Sequence, residues 1–175
     1  MIKFFKNKNI FSKNNFICLG LDPDINKIPD HFSKDINGLE QFLVEVIENT
    51  LDLCIAYKPN VSFFEALGLD GLRLLERIRK RIPQEIPVIF DAKRGDIGNT
   101  SKKQAEYIFD YFGADAITLH PYMGLESLEP FLSYKDKYHF ILTLTSNPGA
   151  AQFEKQSLAN GNTLYLEVAK SCQKA

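Results

Sequence analysis

Five short runs of apolar, β-prone residues recur along the chain, and each is followed by a stretch whose apolar residues repeat at three- and four-residue intervals. The runs cover residues 16–21, 54–60, 87–90, 116–122 and 139–146. Such short runs read as strands, and the continuous apolar run Pro87 to Phe90 as one buried on both faces, while the three-and-four spacing reads as one side of a helix. Leu39, Phe42, Leu43, Val46 and Ile47 form the first helical stripe. A second helix, from about Phe63, is expected to turn Leu72, Leu75, Ile78 and Ile82 inward and to leave Arg73, Arg77, Arg79, Lys80 and Arg81 largely outward. Ser101 and Gln104 have capping-box spacing ahead of the stripe Ala105, Ile108, Phe109 and Phe112. Leu125, Leu128, Phe131 and Leu132 supply a short helix; after a turn at Asn160-Gly161, Leu164, Val168 and Cys172 supply a last one. Strict alternation of strand and helix implies a parallel sheet with right-handed crossovers, either an open doubly wound sheet or a barrel.

Within this pattern the stretch 87–101 stands out. Pro87 to Phe90 reads as a core strand, yet Asp91, Lys93 and Asp96 follow directly behind it as buried-looking charges. Side chains alternate across a strand, so Asp91 and Lys93 are expected on one surface with Ala92 on the other. A carboxylate beside an ammonium favours its protonated form, which suits a proton donor. An ordinary ion pair at a strand end is the alternative. In α/β folds the loops beyond the carboxyl ends of strands build active sites. Asp22 ends the first run and Lys58 the second, at the same rank, with Pro59 expected to stop further central pairing. His120 ends the fourth run, where a lone histidine is more often a packed residue than a base.

Composition narrows the function classes. With 45% hydrophobic residues in 175, the chain can bury a core, and a net charge of −1 suggests neither a nucleic acid nor an anionic membrane as partner. The basic run 73–81 reads as a charged outer helix face, diluted by Asp70 and Glu76. Cys18, Cys54 and Cys172 read as buried thiols without C-x-x-C spacing, the pattern of a reducing compartment, so neither zinc nor disulfides are expected. Residues 1–15 form a polar lead, rich in Lys and Asn, that lacks the apolar centre of a secretory signal, and no later run could span a bilayer. The expected location is the cytoplasm. Residues 16–175 are expected to form one domain.

The run Asp91-Ala-Lys93-Arg-Gly-Asp96-Ile97-Gly-Asn-Thr100 resembles the hallmark of the orotidine 5'-monophosphate decarboxylase family, Asp-x-Lys-x-x-Asp followed by Ile and Thr. Leu19-Gly-Leu-Asp22-Pro-Asp, Tyr57-Lys58-Pro-Asn and Thr145-Ser146-Asn-Pro-Gly149 support it, and the details resemble the bacterial branch with the longer chain. The resemblance extends from about Phe16 to the end.

It implies a (β/α)8 TIM-type barrel, of which about five β/α units are present. It also implies the cofactor-free, metal-free decarboxylation of orotidine 5'-phosphate to uridine 5'-phosphate, with no partner beyond a small-molecule nucleotide substrate and a second copy of the chain. By resemblance, Lys93 protonates C6 of the pyrimidine, Asp91 stands beside the leaving carboxylate, and Lys58 belongs to the alternating charge array. Asp96 would reach across a homodimer interface into the neighbouring site, and Ile97 and Thr100 would join that shared pocket. Asp22 would bind a ribose hydroxyl, and Ser146 the pyrimidine edge.

The family's phosphate-binding arginine has no counterpart before Ala175, so a fragment of a longer gene product is expected, in preference to an inactive remnant serving in assembly. The magnesium-dependent ketohexulose and keto-gulonate phosphate enzymes share the Asp-x-Lys-x-x-Asp strand end; Ile97, Thr100 and Ser146-Asn-Pro-Gly argue against them. A dinucleotide-binding sheet is discounted because no G-x-G-x-x-G follows the first run.

Overall fold

The computed structural model describes residues 16–174; the polar lead over residues 1–15 lies outside them. Five strands alternate with helices: β1 (Cys18–Leu21), α1 (Ile36–Glu48), β2 (Ala56–Pro59), α2 (Val61–Glu65), α3 (Gly68–Arg81), β3 (Ile89–Arg94), α4 (Gly98–Ala105), β4 (Ala116–Leu119), α5 (Glu129–Leu132), β5 (Tyr138–Ile141) and α6 (Leu164–Cys172). β1 pairs with β2, and β3 with β4 and β4 with β5, all in parallel. The parallel bridges Tyr57–Val88 and Asn60–Asp91 join the two groups, so the strands stand side by side in chain order. This is the succession of the first five β/α units of a (β/α)8 barrel.

Alternation along the strands separates two apolar layers. Leu21, Tyr57, Val88, Phe90, Ile117 and Leu119 pack outward against Leu43, Leu75, Ile78, Ile108 and Phe131 of the helices. Ala56, Ile89 and Ala116 form a separate small cluster with Tyr138, one residue from each of β2 to β5, on the opposite, inner face. Tyr57 is fully buried, and its hydroxyl is held by the Ile47 carbonyl at 3.1 Å and Thr50 Oγ1 at 2.7 Å. Burial pushes that hydroxyl far above the ordinary tyrosine range, with contributions from Cys54. β2 is thus fastened to the carboxyl end of α1 by one polar atom inside the core.

Several local expectations are corrected. The buried stripe of α3 is Gly71, Leu74, Leu75 and Ile78, with Leu72 only half-buried. A β-carbon on Gly71 would come within 2.0 Å of the Phe64 carbonyl oxygen, so α3 meets α2 at this residue and its inner stripe is centred there. Arg79 is not outward: its guanidinium donates to the Gly113 carbonyl at 3.0 Å and lies 4.0 Å from Asp115, which in turn accepts the Val88 N–H at 3.0 Å. Ser101 does not cap a helix. α4 begins three residues earlier, and the buried Ser101 hydroxyl donates to the Ser127 carbonyl at 2.5 Å instead.

The stripe Ala105, Ile108, Phe109 and Phe112 is buried as expected, beyond a wider turn closed by the Phe112 N–H to the Tyr107 carbonyl. Of the thiols, Cys54 is buried, Cys18 exposed and Cys172 intermediate; Cys18 belongs to the edge strand β1 and Cys172 to α6, which has no fully buried residue. Pairing also continues one residue past Pro59, because the Asn60 N–H donates to the Leu21 carbonyl at 3.1 Å. No helix is long and apolar enough to cross a membrane among the described residues.

Tyr57→Phe keeps the ring and removes its bonds to the Ile47 carbonyl and the Thr50 hydroxyl, which retain partners at the end of α1 in the Thr50 N–H and the Val46 carbonyl. It is expected to lower the unfolding free energy by about 0.5–1.5 kcal/mol, read from urea denaturation with an unchanged slope.

Candidate active site

The inner face changes character one layer above the Ala56, Ile89, Ala116 and Tyr138 cluster. Moving two residues along each strand reaches Lys58 on β2, Asp91 on β3 and Thr118 on β4, all on that same face. Here the ladder between β3 and β4 opens: Phe90 pairs with Ile117 and Arg94 with Leu119, so Asp91, Ala92 and Lys93 stand opposite Thr118 alone. A bulge of this kind leaves N–H groups without a carbonyl across the strand. Both the Ala92 and Lys93 N–H groups donate to Thr118 Oγ1, each at 3.0 Å. Lys93 pays for the bulge with a left-handed backbone, φ 46°, the one non-glycine residue so placed among those described. That conformation costs a side-chain-bearing residue roughly 1–2 kcal/mol.

Asp91 is the hub. Its Oδ2 accepts from Lys58 Nζ at 2.9 Å; its Oδ1 accepts from Lys93 Nζ at 2.6 Å and from Thr118 Oγ1 at 2.9 Å. The Asp91 side chain is 12% exposed, against 34% for Lys58 and 50% for Lys93. Of the three charges expected to be buried, Asp91 is nearly enclosed and Asp96 half-buried, but the Lys93 side chain is half exposed. Burial is the largest single influence on the Asp91 carboxyl and pushes its pKa up. The bonds from Lys93, Lys58 and Thr118 act the other way, and the net position is below the ordinary carboxylate value.

Asp96 does not join this cluster; its carboxylate accepts the neighbouring Ile97 N–H at 2.8 Å. The chain turns sharply between them. A β-carbon on Gly95 would lie 2.5 Å from the His120 carbonyl oxygen, and the His120 N–H donates to the Arg94 carbonyl at 2.8 Å, leaving room for glycine alone. Arg94 points away from the inner face, into an ion pair with Glu65.

The other candidate residues lie on the same rim, at the carboxyl ends of the strands, without hydrogen bonds to the cluster. Asp22 is exposed directly after β1. Ile97 is 59% exposed at the start of α4, and Thr100 is exposed in its first turn. Ser146 is exposed beyond β5, between Thr145 and Asn147. Glu154 holds this loop by accepting the Thr145 N–H at 2.7 Å, and the single Thr145 hydroxyl proton is shared between Asn147 Oδ1 at 2.6 Å and Glu154 Oε1 at 3.1 Å. The loop borders a cleft of about 700 Å³ lined by His120, Tyr122, Thr145, Asn147, Phe153 and Glu154. His120 is exposed there, its ring 5.5 Å from that of Tyr122.

Thr118 and Glu154 were missed from sequence. Thr118 carried a signal, since it alternates with Ala116 and so shares a face with it; Glu154 carried none, as its partner lies nine residues back across a loop. Among the described residues no three His, Cys, Asp or Glu side chains gather as a metal-binding group.

The Asp91 carboxyl is expected to titrate below the ordinary aspartate value of about 3.9, read by carbon NMR of the side-chain carboxyl. Because its folded pKa lies under its unfolded one, the stabilisation is present above the unfolded value and is lost as pH falls through the folded value. Lys58→Met is expected to move the Asp91 midpoint upward; an unmoved midpoint would show the contact to be unimportant in solution.

Comparison with known proteins places the chain in a family. The profile described as "Orotidine 5'-phosphate decarboxylase / HUMPS family" matches residues 15–175. Relatives named orotidine 5'-phosphate decarboxylase include one from Herpetosiphon aurantiacus, 49% identical over 159 residues, covering 91% of this chain and 60% of the relative. Another, from Bacteroides fragilis, is 44% identical over 169 residues, covering 95% and 62%. Among solved structures, Leishmania donovani OMP decarboxylase superposes with a TM-score of 0.84 at 38% identity, covering 95% of this chain and 63% of that one. The UMP synthase of the same organism superposes at 0.85 and 37%, covering 97% and 36%. The chain spans about 60% of the length of the curated relatives it matches. On the match over nearly its whole length, the chain belongs to the orotidine 5'-phosphate decarboxylase / HUMPS family.

Proposed function

We propose that the chain carries the decarboxylation centre for orotidine 5'-phosphate, yielding uridine 5'-phosphate and carbon dioxide. The observation that carries this reading is the Lys58–Asp91–Lys93 array: a carboxylate held at 2.6 and 2.9 Å by two ammoniums on the inner face. Relatives named orotidine 5'-phosphate decarboxylase support it.

When the bond from C6 to the carboxylate breaks, its electron pair stays on C6, and no cofactor in this reading spreads that charge. A fixed ammonium near C6 stabilises the developing carbanion and then delivers its proton there, leaving a neutral amine that solvent reprotonates. Lys93 takes this role, half exposed where Lys58 is more enclosed. Two unit charges about 4 Å apart interact by about 4 kcal/mol at an effective dielectric near 20, so Asp91 beside the substrate carboxylate opposes the ground state and is relieved as carbon dioxide leaves. Preorganised electrostatics come first and ground-state stress second. Binding energy from the rest of the nucleotide offsets the cost of bringing two anions together.

In the same reading Asp22 binds a ribose hydroxyl and Ser146 the pyrimidine edge. Asp96, Ile97 and Thr100 serve a second copy of the chain in a homodimer with shared sites, which suits the 59% exposure of Ile97 at the head of α4. The proposed location is the cytoplasm, and the proposed domain is the set of β/α barrel units one to five over residues 16–175.

Lys93→Ala is expected to bring turnover, followed by the ultraviolet absorbance change of orotidine 5'-phosphate, below detection while uridine 5'-phosphate binding by calorimetry stays within a few-fold. Turnover that persists would remove Lys93 as the proton donor, and turnover abolished by a chelator would favour the magnesium-dependent branch. If sites are shared, mixing Lys93→Ala with Asp96→Ala chains restores activity that neither has alone, because one site of the mixed dimer then holds both intact residues. Additive inactivity in the mixture contradicts the shared pocket.

A further inference from the structure

Thr118 lies outside every motif quoted above, yet its hydroxyl hydrogen-bonds all three residues of the widened segment of β3. Its hydroxyl has one proton to give and two lone pairs to receive, and all three are used: it donates to Asp91 Oδ1 at 2.9 Å and accepts from the Ala92 and Lys93 N–H groups at 3.0 Å each. The register makes this a geometric necessity. Three residues of β3 stand opposite one of β4, so the N–H groups that would have met β4 carbonyls find only the Thr118 side chain.

Resting on the decarboxylase reading, we propose that Thr118 is a positioning residue: its hydroxyl locks the β3 bulge and the Asp91 carboxylate together, and so aims the Lys93 ammonium at the reacting carbon. Lys93 owes its position to two things, its left-handed backbone and its bond to Asp91 Oδ1, and Thr118 secures both ends. Its N–H bond to Thr118 holds the left-handed turn closed. The donation to Oδ1 orients the carboxylate so that Oδ1 faces Lys93 while Oδ2 faces Lys58. Neither lysine ammonium bonds to Thr118, whose contact with Lys93 is through the backbone N–H, so the residue acts through others and takes no part in proton transfer.

The test compares Thr118→Val, which keeps the shape and removes the hydroxyl, with Thr118→Ser, which keeps the hydroxyl. In the full chain, Thr118→Val is expected to raise the Asp91 carboxyl midpoint seen by carbon NMR and to shift the Ala92 and Lys93 amide resonances; Thr118→Ser is expected to restore both. Where turnover is measured, Thr118→Val is expected to lower kcat by about a hundredfold with KM changed by only a few-fold, the signature of a misplaced reacting group, and Thr118→Ser to recover most of it. An Asp91 midpoint and amide shifts unmoved by Thr118→Val would overturn the proposal, as would equal defects in the valine and serine variants. Turnover that survives Lys93→Ala would instead remove Lys93 as the proton donor, and absence of turnover in the unaltered protein would sink the decarboxylase reading; either leaves the NMR result standing, so the two can fail separately.

Discussion

The Asp91 carboxylate is the point on which the inner face of this molecule depends. Two ammoniums from adjacent strands would repel one another if brought this close, and a carboxylate nearly removed from water would be costly if left unpaired. Placed together, each removes the other's penalty, with Oδ2 serving Lys58 and Oδ1 serving Lys93 and Thr118. The ion pairs are not what holds the fold together. Partly exposed pairs contribute little to stability, and the core is the apolar packing of strands on helices. What the cluster contributes is a defined placement of charge at the strand ends.

That placement is obtained by breaking the regularity of the sheet where chemistry is needed. Below the break, Ala56, Ile89, Ala116 and Tyr138 close the inner side with apolar atoms, and the strands pair in simple register. Above it, β3 gains residues relative to β4, Lys93 enters the left-handed region, and Gly95 lets the chain pass against the His120 carbonyl. The outer face is unaffected by the change. Phe90, Ile117 and Leu119 stay fully buried against the helices, so a rigid packed layer supports a locally strained one.

The order of elements could be read from residue spacing because most strands and helices here are buried along a face, and burial writes its period into the sequence; β5 and α6 are only half-buried. The five parallel strands, α1 and the Ala105 to Phe112 stripe follow that rule. Where the reading slipped, a contact distant in the chain had decided the matter. Arg79 turns inward because Gly113 and Asp115 offer it acceptors, Ser101 faces Ser127 and not its own helix terminus, and the stripe of α3 is centred on the closest approach of Gly71 to Phe64. No periodicity announces such partners.

The same division runs through the site. The sequence by itself determined the parallel α/β order, the strand-end position of Asp22, Lys58, Asp91 and Lys93, and the family resemblance, since all of these are carried by local spacing along one stretch of chain. Only the tertiary structure decided that Lys58, thirty-three residues from Asp91, shares its carboxylate, that Asp96 turns to Ile97 instead, and that Thr118 takes the N–H groups freed by the bulge. The physical reason is that a hydrogen bond depends on a few tenths of an ångström and on register between strands, and register is set by the packing of the whole sheet, beyond the reach of any short run of residues.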